Sequence, residues 1–285
     1  MAKQYTSHGT KTPRLVRDIL KSELCLSVNA IKKVKRGGLL VDGREVTVRH
    51  LLTEGEVLTV SFPEEEGSDI LPCELPLDIV YEDDYILAIN KAPNMPVHPC
   101  RGNHLPTLAE GVMFYLGEGF VFRAVNRLDR DTSGIVLIAK DADTAYRLGE
   151  QLKRGEIRKE YLALACGIPE KESGTIDAPI ARESEGNIRR VVREDGKAAI
   201  TEYTLLDSFE HEGKTVSLLR VSPITGRTHQ IRVHLSYIGI PLLYDFLYGE
   251  REGDKHYFLH CERVHFVHPT TGEGLEIVAP CEFAK

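Results

Sequence analysis

From residue 77 onward the chain is written mostly in short apolar runs bounded by turn residues. DIVYEDDYILAIN, FRAVNRL, GIVLIAK, KEYLALACG, AITEYTLLDSFE, KTVSLLRVSPI and EGLEIVAP all read as strands. Helical spacing is rarer and falls in TLAEGVMFYLG, DADTAYRLGEQLKRGE and THQIRVHLSYIG. Strands outnumber helices and do not alternate with them regularly. That pattern predicts an α+β fold around a mixed, mostly antiparallel sheet, not a doubly wound one. No internal repeat and no low-complexity tract interrupts it.

The first sixty residues are patterned differently. Thr12-Pro13 predicts a cap and first turn for a helix over RLVRDILKSE, with Leu15, Ile19 and Leu20 on its apolar face. Ser27 predicts the cap of a second helix, VNAIKKVKRG, which Gly37 closes. LLVDGREVTV predicts a hairpin turning at Asp42-Gly43, and EVLTVSF a further short strand. PEEEGSDILPCELP is acidic and bounded by proline, the composition of a linker. The expected organisation is a small domain over 12–62, a linker over 63–76 and a large domain over 77–285.

Charge changes this picture. The 285 residues carry a formal net charge of −7, which argues against a polyanionic partner. The distribution reverses that argument. Residues 1–62 hold 11 basic against 6 acidic side chains, and the remainder holds 25 against 37. Lys32, Lys33, Lys35 and Arg36 crowd the end of the second predicted helix, where they suit the helix dipole and would also face a phosphate backbone. A Debye length of about 8 Å screens such a patch from distant acidic surface. No apolar run approaches the roughly 18 residues of a membrane span, and six scattered cysteines without a CxxC pair read as reduced thiols. A cytoplasmic location is expected.

Two segments carry candidate chemistry. In FRAVNRLDRDTSGIVLIAK (122–140) an apolar strand runs into Asn126-Arg127-Leu128-Asp129-Arg130-Asp131, and Thr132-Ser133-Gly134 reverses the chain. In extended backbone Arg127, Asp129 and Asp131 share a face. They would form either a reactive carboxylate held ionised by arginine or a solvated turn with incidental ion pairs. In SPITGRTHQIRVHLSYIGIPLLYD (222–245), Thr228 is the candidate cap of a helix that buries Ile231, Leu235 and Ile238 and ends at Gly239 and Pro241. Arg227 then lies just outside the helix start, poised for a carboxylate or phosphate. His229 and His234 read as packing residues. KHYFLHCERVHFVHP raises a metal site from His256, His260, Cys261, His265 and His268, but it alternates like a strand, which would separate His256, Cys261 and His265. No metal is expected.

The run RLDRDTSGIVLIAK resembles the catalytic motif of the RluA-type ribosomal large-subunit pseudouridine synthases, and TGRTHQIRVHL is similar to that family's arginine-bearing motif. INKAPNMPVHP (89–99), RKEYLALACG (158–167) and LHCERVHFVHPTTGE (259–273) match further motifs in the family's order. The helix pair, basic patch and hairpin of the first sixty residues resemble the α-L RNA-binding motif of a small-subunit ribosomal protein. The resemblance implies an enzyme that isomerises uridine to pseudouridine in ribosomal or transfer RNA. It implies Asp129 as nucleophile, Arg227 as its salt-bridge partner and Tyr161 stacked on the target uracil. Arg127 would enter the gap left by the flipped nucleotide, and Ile231 would close the pocket. The reaction requires no cofactor, and no protein partner is evident. Two positions depart from the family: Asn126 stands where His is usual, and Tyr244 where glycine is common. The rival readings are a glycosidase-like hydrolase using Asp129 with Asp131 and an RNA-binding protein with a degenerate site.

Overall fold

The computed structural model describes residues 4–24, 26, 28–35, 37–61, 70–100, 105–250 and 256–284. The chain forms two compact units, Met1–Gly67 and Ser68–Lys285.

The first unit contains β1 (Gln4–His8), β2 (Arg14–Leu15), α1 (Val16–Ser22), α2 (Val28–Val34), β3 (Leu39–Val41), β4 (Arg44–Glu45), β5 (Leu51–Leu52) and β6 (Val57–Ser61). Its main sheet runs β1-β6-β3-β4. Asp42 and Gly43 both adopt positive φ, 48° and 79°, as a two-residue turn matched to strand twist requires. The predicted start of the first helix is corrected. Arg14 and Leu15 pair with Leu52 and Leu51, so α1 begins only at Val16 and has no side-chain cap. Pairing between distant residues overrides the local Thr12-Pro13 signal. β1, which the polar N-terminus did not announce, pairs along the whole of β6. Val16, Ile19, Leu20, Ile31, Val34, Leu39, Leu52, Leu58 and Val60 form the core. Ile31 and Val34 share the buried face of α2, which leaves Lys32, Lys33 and Lys35 exposed. Ser27 and Arg36 lie outside the described residues.

The second unit contains β7 (Ile79–Glu82), β8 (Ile86–Lys91), α3 (Leu108–Leu116), β9 (Ser133–Ala139), α4 (Ala142–Arg154), β10 (Arg158–Cys166), β11 (Ser173–Asp177), β12 (Ile180–Arg182), β13 (Arg190–Val192), β14 (Ile200–His211), β15 (Lys214–Pro223), α5 (Gln230–Tyr237), β16 (Leu259–Val267) and β17 (Gly274–Val278). One nine-stranded sheet runs β11-β14-β15-β10-β16-β9-β8-β7, and β17 also pairs with β16. Its pairings are antiparallel except where His260 and Cys261 of β16 meet Ser133 and Gly134 of β9. This short parallel contact is the seam between two antiparallel halves. Gly134 sits at it with φ 105°, and a Cβ there would fall 2.3 Å from the Cys261 carbonyl oxygen. The fold is α+β with a mixed, mostly antiparallel sheet.

Local chemistry explains the helices. Thr107 and Glu110 form a reciprocal capping box at α3. Asp141 caps α4, and Gly155 ends it in the left-handed conformation. The second half of the expected linker packs on α3. The Cys73 amide donates to the Glu110 carbonyl, and Leu75 and Leu77 lie so close to Gly111 that a Cβ there would sit 3.1–3.3 Å from them.

The segment FRAVNRL is not the strand its composition suggests. Only Ala124 forms a bridge, to Ile138. After the Val125 amide bonds Leu137, the buried side chain of Asn126 takes over: its Oδ1 accepts from the Leu137 amide at 2.8 Å and its Nδ2 donates to the Ile135 carbonyl at 3.0 Å. A side-chain amide thus replaces backbone pairing and frees the chain to leave the sheet before Asp129.

Candidate active site

β8 ends in Lys91, the largest fully buried side chain of the described residues, 1% exposed. Its Nζ donates to the carbonyls of Ala92, at 2.7 Å, and Arg130, at 3.0 Å. The Met95 amide donates to the same Arg130 carbonyl. Both contacts clamp the turn that follows Asp129, which the Thr132 amide closes onto the Asp129 carbonyl. Burial pushes the Lys91 pKa down to about 7, against the pull of the Asp131 and Asp129 charges. A neutral amine has two N–H donors, and Lys91 has two carbonyls to receive them.

The turn undoes the expected common face of Arg127, Asp129 and Asp131. Asp131 is buried and accepts both Nε and Nη2 of Arg130 at 3.0 Å. His256 approaches it at 3.4 Å. Asp129, by contrast, keeps about a third of its side chain open, and Arg127 is exposed. Because Asp131 is engaged inward, the two carboxylates are not a matched acid and nucleophile.

Asp129 meets α5. Nη1 of Arg232 lies 3.4 Å from Asp129 Oδ2, and His229 Nε2 lies 4.0 Å from the same oxygen. The family resemblance implied Arg227 as the ion-pair partner; the structure places Arg232 there. Arg227 is exposed and its Nε donates to the Ala198 carbonyl at 2.9 Å. The expected helix start shifts too. Gln230 accepts the Arg227 amide and the Thr225 hydroxyl and donates to Ile200 and Thr201. α5 therefore begins at Gln230, with His229 rather than Thr228 at its N-cap. Residues Gln230 to Leu235 are all buried, so an arginine within them must be paired. Ile231 and Leu235 lie in the core as expected, but Ile238 is 36% exposed.

The pairing is with Asp245. Arg232 Nε and Nη2 donate to the two carboxylate oxygens at 2.7 and 2.8 Å. Asp245 is fully buried and also accepts the amides of Leu247 and Tyr248. The Arg232 guanidinium lies over Tyr257 at 4.3 Å and Tyr248 at 5.0 Å from the ring centroids. Burial works against its charge, but the Asp245 hydrogen bonds, with the charges of Asp245 and Asp129, hold its pKa above the ordinary value. Tyr257 donates to or accepts from Thr132 at 3.1 Å, which joins the turn before β9 to the approach of β16.

Tyr244, immediately before Asp245, has φ 64°. This left-handed backbone, where a side chain costs roughly 1–2 kcal/mol, suits the glycine that the family resemblance implied at this position. In this chain the ring is buried, its hydroxyl donates to Glu212 at 2.7 Å and it accepts from His211 at 3.1 Å.

Tyr161 lies on β10 between Val221 and Cys261 and is 6% exposed. Burial, then Cys261 and the Asp129 charge, push its pKa well above the ordinary value, so it stays a neutral phenol. The histidines considered for a metal are otherwise engaged. His260 contacts the Ser133 hydroxyl and the Ala279 carbonyl. His265 faces Glu276 and Glu160. His268 contacts Asp83 and the amides of Thr270 and Thr271.

The mixed sheet carries a partly open carboxylate held by a buried guanidinium, an arrangement suited to nucleophilic or acid–base chemistry. Comparison with known proteins narrows it. A family model described as RNA pseudouridylate synthase matches residues 85–237, which include Asp129 and Arg232. The chain is 40% identical over 265 residues to the uncharacterized RNA pseudouridine synthase YjbO of Bacillus subtilis, covering 90% of this chain and 92% of that one. It is 34% identical to ribosomal large subunit pseudouridine synthase C of Yersinia pestis, covering 96% and 85%. The solved structure of human RNA pseudouridylate synthase domain containing 1 superposes with a TM-score of 0.64 at 30% identity, covering 77% of this chain and 87% of that one. The chain belongs to the RNA pseudouridylate synthase family. It is an RNA pseudouridine synthase, an isomerase.

Proposed function

We propose that the enzyme converts a uridine of large-subunit ribosomal RNA to pseudouridine with Asp129 as its nucleophile. The observation that carries this reading is the Asp129–Arg232 contact: the one carboxylate of the loop that stays open is held from behind by a buried cation. The ribosomal target rests on relatives named for it, including pseudouridine synthase D of Xanthomonas campestris, 36% identical over 87% of this chain.

In this reading the uridine leaves its stack, at a cost of a few kcal/mol. An Asp129 oxygen attacks C1′ and the N1–C1′ bond pair departs with the uracil. The base rotates, C5 bonds to C1′ and the carboxylate is displaced. C5 then loses its proton to solvent and N1 gains one, so the net change is an isomerisation. Tyr161 stacks on the base, returning about 1–3 kcal/mol. Arg127, exposed at the loop, fills the vacated stack, and Ile231 closes the apolar wall. The first unit, with Lys32, Lys33 and Lys35 on the open face of α2, serves as an α-L-type RNA-binding domain.

The test is tritium release from RNA carrying 5-tritiated uridine. Asp129→Asn is expected to abolish release while thermal stability is retained. Release at the wild-type rate would remove Asp129 from the mechanism. Pseudouridine mapping in cells with and without the protein then identifies the RNA. A site outside ribosomal RNA would overturn the target.

A further inference from the structure

His229 occupies a backbone conformation that few histidines adopt, φ 57° and ψ 20°, at the N-cap of α5, where its side chain provides no cap. Strain held without a local structural benefit points to a use for the side chain. The ring is packed edge-on against Tyr248, and its Nδ1 lies 2.8 Å from the Tyr248 hydroxyl.

The hydrogen-bond chain determines which ring nitrogen carries the proton. The Arg190 amide donates to the Tyr248 oxygen at 2.8 Å. Tyr248 is buried, so its own O–H needs an acceptor, and His229 Nδ1 is in place to accept. With Nδ1 accepting, the neutral ring carries its proton on Nε2. That Nε2–H faces Asp129 Oδ2 from 4.0 Å, too far to be satisfied by it. Burial first, and the neighbouring Arg232 and Arg190 charges, lower the His229 pKa, against the pull of Asp129, so the imidazole is neutral at pH 7.

We propose that His229 is a catalytic residue of the isomerisation: its neutral Nε2–H donates to the O2 carbonyl of the uracil as the N1–C1′ bond breaks. This rests on Asp129 being the nucleophile. When the bond pair leaves with the base, negative charge spreads from N1 onto O2 and O4. O2 is the carbonyl next to the scissile bond and so lies nearest the carboxylate that attacks C1′. A fixed donor a few ångströms from that carboxylate stabilises charge present only after cleavage begins. A neutral imidazole suits this role, because an imidazolium would pair with Asp129 and restrain the nucleophile. Tyr248 is then a positioning residue, which fixes the tautomer.

The experiment uses the full-length enzyme and a synthetic RNA oligonucleotide bearing the mapped target as uridine or 2-thiouridine, with Asp129→Asn run alongside. Removing one such donor lowers rates by roughly 100-fold to 1,000-fold. Single-turnover rates at saturating RNA are expected to fall by about that factor in His229→Ala with RNA affinity unchanged. His229→Gln, which offers an amide N–H near the Nε2 position, is expected to recover at least about tenfold of the loss. Sulfur accepts hydrogen bonds poorly, so 2-thiouridine should slow the wild type and have little effect on His229→Ala. Nitrogen-15 NMR of the histidine ring should show the proton on Nε2 in the wild type and a mixture in Tyr248→Phe. The proposal fails if His229→Ala reacts at the wild-type rate, if Gln and Ala are equally impaired, if sulfur slows both enzymes alike, or if Nδ1 carries the proton. In each of those cases an inactive Asp129→Asn leaves the nucleophile standing; an active one removes it independently of His229.

Discussion

Arg232 faces two carboxylates and binds them unequally. It gives Asp245 a two-pronged contact at 2.7 and 2.8 Å and offers Asp129 a single nitrogen at 3.4 Å. Asp245 neutralises and orients the guanidinium; Asp129 receives what remains. The unequal split leaves Asp129 partly open and free to engage a substrate.

Arg232→Lys keeps the charge but cannot span both carboxylates. A fall in single-turnover rate of about 100-fold or more is expected. Arg232→Ala should in addition lower stability by roughly 3–5 kcal/mol, because Asp245 is left buried and unpaired. Arg227→Ala should change stability by less than about 0.5 kcal/mol. Urea denaturation and rates at saturating RNA check all three. Equal effects at 227 and 232 would contradict the assignment.

Lys91 predicts an unusual pH dependence of stability. Its folded-state pKa, about 7, lies below the ordinary 10.5. Below pH 7 folding must bury an ammonium. Between these values the folded protein has released the proton and the unfolded chain has not, so the contribution rises with pH. The slope is at most about 1.4 kcal/mol per pH unit. Lys91→Met should flatten that rise, as seen in urea midpoints from about pH 7 to about pH 10. Identical profiles for the two proteins would show that Lys91 titrates normally.

Tyr244 trades backbone strain for burial. Tyr244→Phe removes only the hydroxyl contacts to Glu212 and His211 and should cost about 1 kcal/mol. Tyr244→Gly relieves the left-handed backbone but leaves a ring-sized cavity, so a net loss of about 2 kcal/mol is expected. A Gly variant more stable than wild type, by thermal melting, would mean the strain outweighs the packing.

The exposed lysines of α2 predict salt dependence. Replacing Lys32, Lys33 and Lys35 by alanine should reduce the slope of log affinity against log salt by roughly 0.7–0.9 for each phosphate that these lysines neutralise. Filter binding across a salt series reads this directly. An unchanged slope would take this face off the RNA.

What was legible in the sequence follows from which forces are local. The hairpin at Asp42-Gly43, the three long helices and most strands of the large unit were readable because capping residues and alternation are local signals. β1 and β2 were not, because long-range pairing made them strands. The arginine was misplaced for a similar reason. Arg227 follows Gly226 in a turn and looks available, whereas Arg232 is embedded in IRVHL and looks like helix filler. What identifies it is the burial of the whole first stretch of α5, Gln230 to Leu235, which turns an interior arginine into a demand for a partner, and Asp245 is the acid thirteen residues on. His229 lies within a motif but reads there as a packing residue, and Tyr248 and Tyr257 carry no motif signal of their own. Only the fold brings them to Asp129.

The seam between β9 and β16 has a consequence for folding. The Asp129 loop belongs to the half built from β7, β8 and β9, whereas Tyr161, His229, Arg232 and Asp245 belong to the other half. Within the second half, β14 with β15 and β16 with β17 pair as near neighbours, whereas β10 meets β16 across about a hundred positions. The seam joins residues more than a hundred positions apart through two register pairs, at a glycine that leaves no room for a side chain. Such distant pairings form late. A chain whose hairpins have formed but whose β16 pairings to β10 and β9 are still open would have much of its secondary structure and no complete site, so recovery of activity during refolding times the closure of these distant pairings.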